Sequence, residues 1–182
     1  MERLVKNIFK RGALLLILLT LAGCASSGAI KRISPIPASV SISVDFALVK
    51  TSSALAGLEA ETQTLNDLII SGLRGRQVFG DVDADPAAAG SSDGIKVEIK
   101  ILEIKKISRE QRQWAGALAG RARLLVQATV TDLNSGKPIE TFEAEGLSSG
   151  GSNLAGITDE AVQRAAEQVV AEVIRISRHT GP

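Results

Sequence analysis

The chain has few of the residues from which most catalytic and metal sites are built. Its 182 residues include one histidine, one cysteine and no tyrosine. The histidine, His179, stands close to the C-terminus, where chains commonly fray, so we predict no metal site and no Ser-His pair around it. A lone cysteine excludes an intramolecular disulfide, so packing must hold the fold. The sequence therefore predicts a protein that is not an enzyme and has no metal or other cofactor.

Long apolar runs are also absent, except for one near the N-terminus. It follows four basic residues and covers about ten positions from Ala13, against the roughly twenty that a spanning helix needs. Small residues, Ala22 and Gly23, precede Cys24. This arrangement predicts a signal peptide over residues 1–23 that is removed on export. Two alternatives stay open: an ordinary secretory signal that happens to include a cysteine, and a single-pass membrane protein.

The segment Leu-Ala-Gly-Cys that ends at Cys24 resembles the lipobox of bacterial lipoproteins. The resemblance implies cleavage between Gly23 and Cys24, a diacylglyceryl group on the Cys24 sulfur, and acylation of the new N-terminus by a fatty acid such as palmitate. Two or three acyl chains make release from a membrane negligible. Because Ala25 is not the aspartate of inner-membrane retention signals, we expect the outer membrane, with the domain facing the periplasm. In a single-membrane bacterium, the outer face of the plasma membrane is expected.

The charge of the mature chain argues against nucleic acid as a partner. Removal of residues 1–23 takes four of the 21 basic residues and one of the 20 acidic ones, which leaves 17 basic and 19 acidic residues. Nucleic-acid binding would favour a basic stripe with stacking aromatics, and aromatic residues make up 3% of the chain. Residues 24–39 contain two prolines and no periodicity, which predicts a flexible tether. Residues 40–182 are expected to form a single domain.

The periodicity of residues 40–182 predicts an α+β fold. Alternation of apolar and polar residues indicates strands near 40–46, 95–101, 122–131 and 139–147, with a bulge or twist near Leu102 and Ile104. Helical spacing indicates helices over 55–73 and 158–176, and it places Val169 in the apolar stripe of the second helix. We predict an antiparallel sheet of about four strands with two helices packed on one face, in the order β-α-β-β-β-α.

Two segments carry a family resemblance. GALAGRARLLVQATVTDLNSG, residues 116–136, and the closing GITDEAVQRAAEQVVAEVI resemble the bacterial lipoproteins of domain-of-unknown-function family 4410. The shared features are a Gly/Ala-rich lead-in, a strand that ends in Thr131 and Asp132, a turn at Ser135 and Gly136, and an alanine-rich last helix. The resemblance implies no activity and no functional residue.

Two sets of acidic residues are the remaining candidates for chemistry. Asp81, Asp83 and Asp85 resemble the start of a calcium loop, but Pro86 replaces the required glycine and the expected glutamate is missing. Glu143 and Glu145 would share one side of a strand, as an acid/base pair could. Solvated loop acids and an exposed strand face are the favoured interpretations.

The segment WAGALAG, residues 114–120, is the most apolar connection in the mature chain. Trp114 and Leu118 would either pack on the core or form an exposed tip that contacts a partner or a lipid surface. Flanking arginines, among them Arg112 and Arg121, would give such a tip a basic rim. Both alternatives remain open at the level of the sequence.

These features favour a non-catalytic, lipid-anchored outer-membrane protein that serves as an interaction or assembly accessory in the envelope. The membrane is one predicted partner, through the lipid, and another envelope protein or the cell wall is a second. The alternative is a periplasmic-face binding module for a small apolar or glycan ligand. The oligomeric state does not follow from the sequence.

Overall fold

The computed structural model describes residues 28–34, 36, 42, 44–85, 87, 93–149 and 157–179. These residues form six strands and three helices: β1 (Ile30–Ser34), β2 (Phe46–Ser53), α1 (Glu59–Arg76), β3 (Asp81–Asp83), β4 (Gly94–Lys105), α2 (Arg109–Ala115), β5 (Arg123–Asp132), β6 (Pro138–Leu147) and α3 (Thr158–Ser177). A short 3-10 helix, Gly116–Ala119, follows α2 directly. The predicted α+β class is confirmed.

The strands form one mixed sheet in the order β1-β6-β5-β4-β2-β3. β2 runs parallel to both β3 and β4, and the other neighbours are antiparallel. The prediction of about four antiparallel strands and two helices was therefore wrong in strand number, strand direction and helix number. The predicted order β-α-β-β-β-α survives as β2-α1-β4-β5-β6-α3. α1 and α3 contact each other and pack on the sheet around one apolar core.

The first predicted strand is displaced along the chain. The sequence indicates a strand over 40–46, whereas β2 begins at Phe46 and ends at Ser53. Residues 46–49 are all buried, so β2 lacks the alternation of buried and exposed side chains that is expected of a strand with one solvent-exposed face. Ala47 and Val49 belong to the apolar core, whereas Phe46 and Leu48 are buried outside it. Both faces of β2 are therefore covered at this point, as is typical of parallel strands. Residues 40, 41 and 43 lie outside the described residues.

The central strands follow their sequence pattern closely. β4, β5 and β6 alternate buried and less buried side chains, and the register between β4 and β5 shifts between Ile101 and Glu103. The expected bulge near Leu102 is therefore confirmed. β5 and β6 form the predicted hairpin, in which Gly136 adopts a positive φ of 65°.

Helix α3 lies very close to β6, and Gly146 permits that approach. A Cβ atom on Gly146 would stand 2.0 Å from the carbonyl oxygen of Ala161 and 2.6 Å from the nitrogen of Ala165. Val169, in the same helix, is fully buried, as its place in the apolar stripe predicts. Burial of each such side chain contributes about 1.5–3 kcal/mol.

The edge strand β1 is absent from the sequence prediction. Residues 24–39 are predicted to be a tether, but Ile30–Ser34 pairs antiparallel with β6. Its middle residues are exposed, so it lacks the alternation by which a strand is recognised in a sequence. Residues 24–27, 35 and 37–39 lie outside the described residues.

A cluster of four charged side chains joins β1 to α3 and β6. Glu140 and Glu172 are almost fully buried, whereas Arg32 and Arg175 are partly exposed. Arg32 donates from Nε to Oε1 of Glu172 at 2.6 Å, and Arg175 pairs with both glutamates. Burial acts to raise the pKa of Glu172, but the hydrogen bonds and charges of the two arginines outweigh it and hold that pKa below its ordinary value.

We expect Val169→Asp to prevent folding of the chain produced without residues 1–27. An unpaired carboxylate at this buried position costs several kcal/mol, comparable to the whole stability of a domain this size. Thermal unfolding followed by circular dichroism measures the effect, and Gln163→Asp on the exposed side of α3 is the control. A cooperative transition for Val169→Asp near that of the control would contradict the burial.

We expect Glu172→Gln to lower the free energy of unfolding by about 1–3 kcal/mol at pH 7, because charge-assisted hydrogen bonds are lost. Since the folded-state pKa of Glu172 is lowered, its contribution is present above the ordinary glutamate pKa of about 4.3 and is lost as the pH falls through the lower folded value. Urea unfolding of both proteins from pH 7 to pH 3 should show the difference shrinking. A difference that grows on acidification would be inconsistent with this pKa direction.

Candidate functional site: the apolar tip between β4 and β5

Residues 106–122 connect β4 to β5 and are called the tip below. The tip contains α2, a helix that the periodicity of the sequence does not predict. The Ser108 hydroxyl accepts a hydrogen bond from the Gln111 nitrogen at 3.1 Å, and the Gln111 side chain accepts one from the Ser108 nitrogen at 3.0 Å. This reciprocal pair is a capping box, whose Ser-x-x-Gln spacing is visible in the sequence. The capping box is the signal that would have found the helix.

Arg112 links helix α2 to the end of the tip. Its side chain is 1% exposed, and its guanidinium donates to the carbonyl oxygen of Gly120 at 2.6 Å. Ile107, five residues before Arg112, is also buried, and Ala119 packs on the core. The expectation that Arg112 belongs to an exposed basic rim is wrong, because the side chain closes the base of the tip instead.

Trp114 and Leu118 project into solvent. They are 91% and 94% exposed, the highest values among the large exposed apolar side chains of the described residues. The alternative in which this segment packs on the core is therefore wrong for both side chains. The inward positions of the tip are already filled by Ile107, Arg112 and Ala119, so the two larger side chains have no place in the core.

The charged groups around the tip differ in their partners. Arg123 pairs with Glu145 and with Glu103, and the hydrogen bond with Glu145 is the largest cause that raises the pKa of Arg123. Arg121 is exposed, as predicted for a basic rim, and so is Arg109, another of the flanking arginines. Lys105 is not among the predicted rim residues, but its ammonium lies beside Gly120, 3.4 Å from where a Cβ of that glycine would stand.

The acidic candidates lie at two separate places in the fold, on β6 and at β3. No group of three or more potential metal ligands occurs in the described part of the chain. Glu143 and Glu145 lie on the side of β6 away from the buried residues and pair with Lys31 and Arg123. Asp81 and Asp83 belong to β3, and Asp83 pairs with Arg74. Hydrogen bonds from the nitrogens of Asp85 and Ala84 lower the pKa of Asp83.

Two surface clefts are large enough for a small molecule. One, of about 470 Å³, lies between β2 and α1 and mixes polar and apolar walls, including Lys50, Leu55 and Asn66. The hydroxyl of Thr62 in this cleft is buried and has no hydrogen-bond partner among the described residues. The other, of about 570 Å³, lies between α1 and α3 over Leu68 and Val170.

Cys24 and Gly23, the predicted lipidation and cleavage residues, lie outside the described residues. Within the described ranges, no helix is both long and apolar enough to cross a bilayer.

The fold is similar to that of several solved bacterial proteins. PelC from Paraburkholderia phytofirmans, solved as a dodecamer, matches in two crystal forms with TM-scores of 0.55 and 0.54 at 14% identity. The matches cover 84% and 83% of this chain and 99% and 97% of PelC. Protein XCC0632 from Xanthomonas campestris, of the DUF330 family, matches with a TM-score of 0.50 at 13% identity, over 80% of this chain and 92% of that protein. At these identities the similarity shows the fold alone.

Sequence comparison shows the family more directly. None of the curated proteins compared with this chain matches it. The model of one family matches residues 35–152, which include β2 to β6, α1 and the whole tip. The chain therefore belongs to the family described as Domain of unknown function (DUF4410).

Proposed function

We propose that the mature protein is a non-catalytic lipoprotein of the bacterial envelope that works through contacts of its folded domain, as an interaction or assembly accessory. A lipid on Cys24 holds it on the outer membrane with the domain in the periplasm. In a bacterium with one membrane, the same anchor holds it on the outer face of that membrane. The lipobox-like segment before Cys24 supports the anchor.

The observation that carries the contact role is the exposure of Trp114 and Leu118 at 91% and 94%. A large apolar side chain in solvent is informative when the fold presents it on an ordered element. The capping box and buried Arg112 order this element, so little conformational entropy is lost when it binds. Tryptophan is also the residue most enriched at binding hot spots.

Self-association is one form of contact that this fold supports, because the PelC relatives are dodecamers. Light scattering coupled to size exclusion, on the lipidated protein in detergent, tests whether this chain also assembles.

A second candidate function is the alternative that the sequence leaves open, a binding module for a small apolar or glycan ligand; the mixed polar and apolar cleft between β2 and α1 favours the glycan. The buried Thr62 hydroxyl without a described partner favours it, because such a group commonly awaits a ligand or a water. Calorimetric titration with soluble cell-wall glycan fragments tests this function, with Thr62→Val as the variant. Heat of binding that Thr62→Val abolishes would favour the ligand binder over the accessory protein.

We expect Cys24→Ser to leave an unprocessed precursor that carries no lipid, because the sulfur atom is the site of the first acyl transfer. Mass spectrometry of the protein from the membrane fraction measures both the N-terminus and the lipid. Ser26→Ala is the control and should be processed and lipidated normally. A soluble Cys24→Ser protein that is cut like an ordinary secreted protein would contradict the lipid anchor.

We expect Trp114→Ala to change the free energy of unfolding by less than about 0.5 kcal/mol, as surface substitutions usually do. Arg112→Ala should lower it by about 1–3 kcal/mol, since the Gly120 carbonyl group then loses its buried donor. Urea unfolding of the chain without residues 1–27 gives both values. Equal losses for the two variants would show that Trp114 supports the fold rather than a contact.

A further inference from the structure

The N-terminal end of the described chain and the tip lie at the same end of the sheet. In the strand register, Lys105 stands opposite Arg123, and Arg123 stands opposite Leu147, so β4, β5 and β6 all reach this end. The Glu145 nitrogen, two residues before the end of β6, donates to the carbonyl of Ala29 at 3.0 Å. Residue 28 therefore leaves the sheet beside the strands that carry the tip.

The backbone at Gly28 lies so close to β6 that there is no space for a side chain. A Cβ atom on Gly28 would stand 1.2 Å from the carbonyl oxygen of Glu145, so the backbone lies directly on β6. Cys24 is four residues away, and a fully extended chain of four residues spans at most about 14 Å. If Cys24 carries lipid, as the proposed function holds, this end of the sheet lies close to the bilayer surface.

The chemistry of the tip fits a phospholipid surface. Tryptophan concentrates at the boundary between headgroups and acyl chains, where an apolar ring with a polar N–H is favoured. Lys105, Arg109 and Arg121 lie in the tip or directly before it as exposed cations, and in the part of the chain that the structure describes none of the three forms an ion pair. Each basic residue near an anionic membrane surface contributes about 1 kcal/mol of attraction. Glu110 is the one acidic residue of the tip.

We propose that the tip is a second membrane attachment: Trp114 and Leu118 enter the headgroup region of the leaflet that holds the Cys24 lipid. Because the lipid confines the tip near the surface, its effective concentration there is high, and a weak affinity suffices. Two attachments at one end of the sheet orient the domain, with the β5–β6 turn at residues 133–137 pointing away from the bilayer. The groove between α1 and α3 stays accessible to a protein.

The single tryptophan of the chain makes this proposal directly measurable. Purified lipidated protein is reconstituted into vesicles of phosphatidylethanolamine and phosphatidylglycerol, with a brominated phospholipid as the quencher. Trp114 fluorescence should shift to shorter wavelength relative to detergent-free soluble protein without residues 1–27. It should also be quenched more strongly by bromine near the headgroups than by bromine deep in the acyl chains.

Matched variants separate docking from anchoring. Arg121→Ala should lower the ratio of docked to undocked protein by about fivefold, the equivalent of the roughly 1 kcal/mol that one basic residue contributes. Leu118→Ser should lower the quenching as well. Lys137→Ala on the distant turn and Ile33→Ser on β1 are the controls for charge and for an exposed apolar residue, and neither should change the quenching.

Flotation of the same vesicles tells the two proposals apart. Protein that does not float with the vesicles would overturn the lipid anchor. Protein that floats but keeps the long-wavelength, unquenched emission of exposed Trp114 would overturn the membrane-docking proposal, leave the anchor standing and assign the tip to a protein partner. Quenching that Arg121→Ala and Leu118→Ser leave unchanged would also overturn docking through the tip.

Discussion

The pairing of β1 with β6 is the constraint that fixes where the N-terminal segment leaves the domain. β1 has only five residues, and its middle side chains are exposed, so side-chain packing alone would not hold it in place. Its backbone hydrogen bonds to β6 fix its position. The charged cluster also attaches β1 to the domain, because Arg32 of β1 pairs with the buried carboxylates of Glu140 and Glu172. If β1 left the sheet, two buried carboxylates would lose one of their two cations, which is costly in a poorly solvated site. The chain therefore leaves the domain at one defined edge and at one end.

The packing of the core explains why two large apolar side chains of the tip are exposed to solvent. Small residues let α3 approach β6 closely, and the large apolar side chains of five strands, β2 to β6, fill the space between sheet and helices. The tip contributes Ile107 and Ala119 to that core and closes its own base with Arg112. Trp114 and Leu118 are not needed for packing. A side chain that the core does not need and an ordered element presents is available for recognition.

Local patterns account for most of what the sequence predicts correctly. The bulge near Leu102, the hairpin of β5 and β6, and the apolar stripe with Val169 all follow from periods of two or of about four residues. The missed elements lack such a pattern. β2 is buried on successive residues because both of its faces are covered there. β1 has exposed side chains in its middle, and α2 is only seven residues long. The capping box of α2 is the one sequence pattern that would have predicted one of these elements.

The sequence by itself determined the α+β class, the family resemblance, and the apolar character and basic surroundings of residues 114–120, because each depends on residues near one another in the chain. The tertiary structure alone decided that Arg112 is buried while Trp114 is exposed, since both sit in one short helix and only the space left by the core distinguishes them. It also decided that the N-terminal strand and the tip share one end of the sheet. That proximity rests on pairing between residues more than a hundred positions apart, such as Lys31 and Glu143, and no local preference of the backbone encodes it.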